Sequence, residues 1–165
     1  MGPTFRFLAA LLPLMAGTIL PGARVEAQGG PPLGVQALQD LSFGEVVAGL
    51  ESWVNPADPA GAAVFRIRGG QSAPVEIRFL LPPSLTAAGG GTLPLRFGPG
   101  DARISPTEDP SAGAPLDPSV PTAVSLPGQP WSFLFLGGMV LPPASAVSGS
   151  YSAPVILVLS DLGSQ

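Results

Sequence analysis

The sequence predicts an all-β fold, a sandwich of two antiparallel sheets. Three observations carry the prediction. Apolar residues recur with a period of two in short runs, as in Ala62–Arg68 (AAVFRIR) and Pro74–Leu81 (PVEIRFLL), the pattern of strands with one face buried. Glycine and proline number 22 each, and they place turn signals roughly every 8–12 residues, the spacing of an all-β sandwich. Charged residues are only 11% of the chain, against about 25% in an ordinary soluble domain. No convincing helical period follows the N-terminal region.

That region, residues 1–27, reads as a secretory signal peptide. Arg6 supplies the positive start and Phe7–Leu20 the apolar run, broken by Pro13, Gly17 and Thr18. Val25-Glu26-Ala27 suits a cleavage site before Gln28. The run falls short of the roughly 20 uninterrupted apolar residues that span a bilayer. Cleavage is therefore expected, with no membrane span after it and a destination in the periplasm or at the cell surface. Residues 28–34 (QGGPPLG) read as a flexible leader and 35–165 as a single domain.

The chain has no cysteine. It can be neither lipidated at the cleavage point nor stapled by disulfides, so its core alone must hold it. About 138 residues remain after cleavage, enough for one sizeable core. Every basic residue is arginine, and five of the seven follow the cleavage point, against ten acids. That acidic balance argues against nucleic acid and anionic membrane as partners.

In chain order, Val35–Ala48 reads as a first strand pair bent at Gly44, with Leu41 and Phe43 alternating with polar neighbours. Leu50–Val54 is a short strand ended by Asn55-Pro56. In Ala62–Arg68, Phe65 and Ile67 take one face, and Arg66 and Arg68 the other. In Pro74–Leu81, Val75, Ile77, Phe79 and Leu81 oppose Glu76 and Arg78. The two runs form a hairpin or a sheet-to-sheet connection, which would let Glu76 pair with Arg66 or Arg68. Gly89–Gly91 is a turn, and Thr92–Phe97 a strand that Pro94 assigns to an edge. Residues 106–121 form a long acidic, proline-rich loop, flexible or functional. Thr122–Leu126 is a strand. Trp131–Leu141 is apolar on both faces and is interrupted at Gly137-Gly138.

The last stretch, Gly149–Leu162 (GSYSAPVILVLSDL), is the most apolar run after the signal. Tyr151, Ala153, Val155, Leu157 and Leu159 form one face; Ile156 and Val158 form the other. Either the strand is central and covered on both sides, or the face of Ile156 and Val158 is an assembly surface. Pro154 removes one ladder donor, which puts the early part at an edge or a bulge.

Two elements carry a resemblance. Leu41-Ser42-Phe43-Gly44-Glu45-Val46 lies early, and Gly149-Ser150-Tyr151-Ser152 opens the last strand after Leu141–Ala144. Together they resemble the bacterial secreted family known as domain of unknown function 4402. They are more distantly similar to spore-coat-U-like and chaperone–usher pilin subunits. The resemblance implies an immunoglobulin-like sandwich of about seven to nine strands, with Phe43, Gly44, Gly149, Tyr151, Ile156 and Val158 in structural or assembly roles. It implies no chemistry.

The residue inventory points away from catalysis. Without His, Cys or Lys there is no histidine base, no thiol or amine nucleophile and no His/Cys zinc site. Asp101, Glu108, Asp109 and Asp117 form the one acidic cluster. They could offer Ca²⁺ hard oxygen ligands, but they match no loop pattern for that ion, and a solvated acidic loop is the plainer reading. Trp131 reads as core, Trp53 is open, and Tyr151 suits a structural corner. No cofactor is expected.

Two functions follow. The first is an exported, non-catalytic structural or adhesive surface subunit, pilin-like, with copies of itself or other surface subunits as partners. In pilin-like assembly a neighbour's extended segment supplies a missing strand. Here the one candidate donor, Gln28–Leu41, is poor in side chains, so a self-complete monomer is equally consistent. The second is a soluble binding module outside the cytoplasm that recognises a glycan, ion or protein through residues 106–121.

Overall fold

The computed structural model describes residues 32–69, 74–126 and 131–163. The expected signal peptide, the leader up to Pro31 and the Pro127–Pro130 turn lie outside these residues. In chain order the strands are β1 (Gly34–Gln39), β2 (Ser52–Val54), β3 (Ala63–Arg68), β4 (Pro74–Leu80), β5 (Ser84–Ala87), β6 (Thr92–Arg96), β7 (Ala102–Ser105), β8 (Ala114–Leu116), β9 (Thr122–Ser125), β10 (Ser132–Leu136), β11 (Gly138–Val140), β12 (Tyr151–Ser152) and β13 (Ile156–Asp161). Among the described residues a single 3₁₀ turn, Pro110–Ala112, interrupts them.

One layer is a sheet in the order β1-β3-β10-β7-β8. The facing layer is made of β12-β5-β6-β11-β2 and β13-β4-β9, all antiparallel. Its two parts share long bent strands: β4 runs on into β5 across Pro82-Pro83, and β12 into β13 across Pro154. These prolines break the ladder at the bends because they bring no N–H. The order β1-β3-β10-β7 matches strands A-B-E-D of an immunoglobulin-like sandwich. β4/β5 beside β12/β13 matches C beside F.

The core lies where the alternating faces meet. Ala63, Phe65 and Ile67 from β3 and Leu134 and Leu136 from β10 pack against Ile77 of β4. A smaller cluster of Leu93, Leu95 and Val140 fills the other end, with Leu85 and Tyr151 against it. The chain changes layers between β10 and β11. A Cβ on Gly137 would run into the Val54 carbonyl oxygen and come within 2.8 Å of the Pro56 nitrogen, so only glycine permits that crossing.

Several expectations need correction. The first strand starts at Gly34 and is single. Its irregularity lies between Ala37 and Gln39, and residues 40–51 cross to β2 without a ladder. Gly44 does bend the chain, at φ +62. Leu41 and Phe43 are half-buried packing residues of this crossing segment rather than strand residues. β3 and β4 connect different layers, so Glu76 stands between Ala123 and Ser160, remote from the Arg66 and Arg68 face. β5 is an additional strand. Pro94 lies in β6 between β5 and β11, not at an edge. This is tolerated because β11 ends at Val140. Only the final rung, where Leu141 N–H donates to the Pro94 carbonyl at 2.9 Å, lacks its return bond. Residues 106–121 are not one open loop: β8 pairs with β7 and orders their middle.

Candidate functional site

β13 pairs with β4 on one side, and among the described residues no strand pairs with its other side. The Leu162 N–H donates to the Pro74 carbonyl at 3.0 Å, which fixes the phase of the ladder. Even-numbered residues of β13 turn their N–H and C=O toward β4. By alternation, Val155, Leu157, Leu159 and Asp161 turn theirs outward. In an immunoglobulin-like sandwich this edge of strand F is where strand G would lie.

On that side the facing layer ends in β1, itself an edge strand. Val35 and Ala37 of β1 pair with Ile67 and Phe65, whose side chains point into the core. They therefore point inward too, yet Val35 is 43% exposed. β1 comes close to β13 without forming a ladder with it. The result is a seam between two edge strands that do not pair, with their inward faces partly uncovered. Where β1 gives way to the crossing segment lies a groove of about 980 Å³ bordered by Phe43, Phe65, Leu85, Tyr151 and Val155.

Four of the residues singled out in the sequence border this groove: Phe43, Gly44, Gly149 and Tyr151. Tyr151, at the start of β12, donates its hydroxyl to the Val147 carbonyl at 2.7 Å, a tyrosine corner that fixes entry into strand F. A Cβ on Gly91 would stand 2.7 Å from that hydroxyl oxygen, so a glycine there makes room for the corner. Gly149 has open space around it. Ile156 and Val158 lie on the outer face instead, 51% and 38% exposed, beside Leu80 at 49%. β13 is thus an edge strand with one uncovered apolar face, not a central strand covered on both sides.

The acids do not converge. Among the described residues no group of three potential metal ligands forms. Asp101 accepts from the Gly98 N–H at 2.8 Å and from the Trp53 indole N–H at 3.2 Å. Asp109 accepts from the N–H and hydroxyl of Ser111, and Asp117 from the Ser119 N–H. The Ser111 hydroxyl, and then its N–H, hold the Asp109 carboxyl below its ordinary value of 3.8. Glu108 is exposed on the same segment. Trp131 is not a core residue: it is half-buried, with the Arg66 guanidinium 4.3 Å from its ring centroid and that of Arg68 5.7 Å away.

Set against known proteins, the chain matches no family model and no curated protein. Among the described residues no helix is long and apolar enough to cross a membrane. Sequence reasoning found the residues around the groove but missed the seam itself, because it depends on β1 lying near β13 without pairing with it. The one available signal was the second apolar face of the last strand, Ile156 and Val158.

Proposed function

We propose that the protein is an exported, non-catalytic structural or adhesive subunit of the bacterial surface that assembles by accepting an extended strand from a neighbouring chain. The supporting observation is the seam of unpaired edges formed by β1 and β13, with the outer ladder groups of β13 unpaired among the described residues. An incoming strand of about seven residues, about 24 Å long, would satisfy the outward N–H and C=O groups of Val155, Leu157, Leu159 and Asp161. Its alternate side chains would cover Val35 and enter the groove beside Phe65 and Tyr151. The edge also lacks the usual protections. Between Val155 and Ser160 it carries no charge and no proline, and such an edge invites pairing.

The similarity of the Leu-Ser-Phe-Gly and Gly-x-Tyr elements to the 4402 and pilin-like families favours the same reading, since both elements border the groove. The leader is a weaker donor candidate than the sequence suggested, because Gly34–Gln39 of that segment already serves as β1. The donated strand then comes from another subunit.

Hydrogen exchange, read with light scattering after size exclusion, tests this. In the monomer the amides of Leu157 and Leu159 exchange fast while those of Val158 and Ser160 are protected by β4. On assembly all four become protected. A protein that stays monomeric at every concentration and with every candidate partner subunit, its odd-numbered β13 amides always fast, would sink the reading.

A further inference from the structure

Trp53 is 54% exposed, and the seam does not use it. It stands on β2, at the edge of the β12-β5-β6-β11-β2 sheet. It pairs with Met139 of β11, which pairs in turn with Arg96 of β6. Their neighbours Val54, Val140 and Leu95 are buried, so by alternation Trp53, Met139 and Arg96 form one row on the outer face. The indole is held in place, because its N–H donates to Asp101 at 3.2 Å. Asp101 is fixed in turn: its other carboxylate oxygen accepts from the Gly98 N–H at 2.8 Å, and its carbonyl from the Gly137 N–H at 2.7 Å. Tying β2 to that turn needs only the indole N–H. It does not account for an apolar ring left more than half open to water. A ring already held still loses little freedom when a ligand settles on it.

The rest of the face shows what would settle there. Thr92 of β6, Ser84 and Thr86 of β5 and Ser152 of β12 also point outward, and each carries a hydroxyl that both donates and accepts. Arg96 is the one charge among the outward residues of these strands. A lipid surface calls for clustered cations around the apolar anchor. A protein partner calls for an anchor seated in a packed apolar pocket. A hydroxyl-lined face with one pinned indole and one guanidinium matches neither.

We propose that this face binds an extended, neutral, β-linked oligosaccharide, with one pyranose ring stacked on Trp53 and the hydroxyls of the next bonded to Arg96. The C–H face of a pyranose suits the indole, and its rim of hydroxyls suits the guanidinium fork and the Ser and Thr hydroxyls. Strand spacing sets Trp53 and Arg96 about 10 Å apart across β11, a span that two linked rings can cover. A β-linked chain stays extended enough to lie across the strands, whereas an α-linked one curls away. The acidic balance of the protein disfavours a strongly anionic glycan. The site goes beyond strand acceptance. The seam is built from β1 and β13 and this face from β2, β11 and β6, so either reading can fail while the other stands.

Amide and indole N–H NMR of the mature protein tests the site. The chain has two tryptophans, so its two indole signals separate Trp53 from Trp131. On titration with chitotetraose or cellotetraose, the Trp53 indole and the amides of Arg96 and Met139 should shift and saturate with a Kd of about 1 mM or tighter, while the Trp131 indole stays. The α-linked maltotetraose should bind at least about tenfold more weakly. Trp53→Ala should weaken binding about tenfold and Arg96→Ala about fivefold. Both side chains are exposed, so the fold is spared; should Trp53→Ala fail to fold, Arg96→Ala alone decides. No saturating shift up to about 10 mM of either β-linked sugar would overturn the proposal. So would binding that survives both substitutions, shifts confined to residues 106–121, or maltotetraose binding as tightly as the β-linked sugars.

Discussion

The tyrosine corner offers a sharp energetic test. Gly91→Ala places a methyl group 2.7 Å from the Tyr151 hydroxyl oxygen, well inside contact distance. The ring must swing away, and its 2.7 Å bond to the Val147 carbonyl is lost. Tyr151→Phe removes the same bond and keeps the ring against Leu93, Leu95 and Val140. It should cost about 0.5–1 kcal/mol, the low end for a neutral hydrogen bond, since this one is solvent-exposed. With phenylalanine in place, the nearest atoms to the new methyl are the ring Cε1 and a Val147 methyl, both at 3.2 Å, and a small side-chain shift relieves them. Gly91→Ala should therefore cost about 1 kcal/mol less in the Phe background than in the parent. Any gain from a stiffer unfolded chain occurs in both backgrounds and cancels. Urea unfolding followed by tryptophan fluorescence measures all four corners of the cycle. Additivity within about 0.3 kcal/mol would refute the idea that Gly91 exists to admit the hydroxyl.

Other outcomes are equally definite. Leu134→Ala, at a position with no solvent exposure, should lower unfolding stability by about 2–5 kcal/mol in the same urea assay. Replacing Ile156 and Val158 together by Thr should cost less than about 1 kcal/mol per site, because both side chains are already largely solvated and Thr keeps the β-branch. A protein unfolded by that pair would show the outer face to be core. The Asp109 carboxyl should titrate below 3.8, seen by NMR, and Ser111→Ala should raise it toward that value. A depressed folded pKa means that the stabilisation is complete above the unfolded value. It is lost as pH falls through the folded one, so order in residues 106–113 should weaken only below about pH 4. Gly137→Ala should prevent folding or cost more than about 3 kcal/mol, since its Cβ meets backbone that cannot yield.

Legibility in the sequence followed the range of the interaction. β3, β4, β6 and β9 were readable because period-two alternation is local and each has one buried face. The crossing segment at residues 40–51 shows the same alternation at Leu41 and Phe43 but forms no ladder, because no strand edge lies beside it. Trp131 misled for a related reason. Its area suggests burial, while its register beside Arg68 puts it on the outer face, where two guanidiniums cover it. The four acids looked like a cluster because they are close in sequence. Each aspartate instead satisfies a nearby backbone N–H, which spends its ligand capacity locally.

The sequence by itself determined an all-β chain with no thiol, imidazole or amine chemistry, strands of known facing, and a tyrosine placed for a corner. These follow from composition, alternation and turn residues, which act within a few positions of one another. Only the tertiary structure decided that β1 lies near β13 without pairing with it, that the last strand is an open edge, and that Trp131 sits on the outer face beneath two guanidiniums. Those facts depend on which strands become neighbours across the whole chain. Proximity between segments more than a hundred residues apart, such as β1 and β13, leaves no local trace in either one.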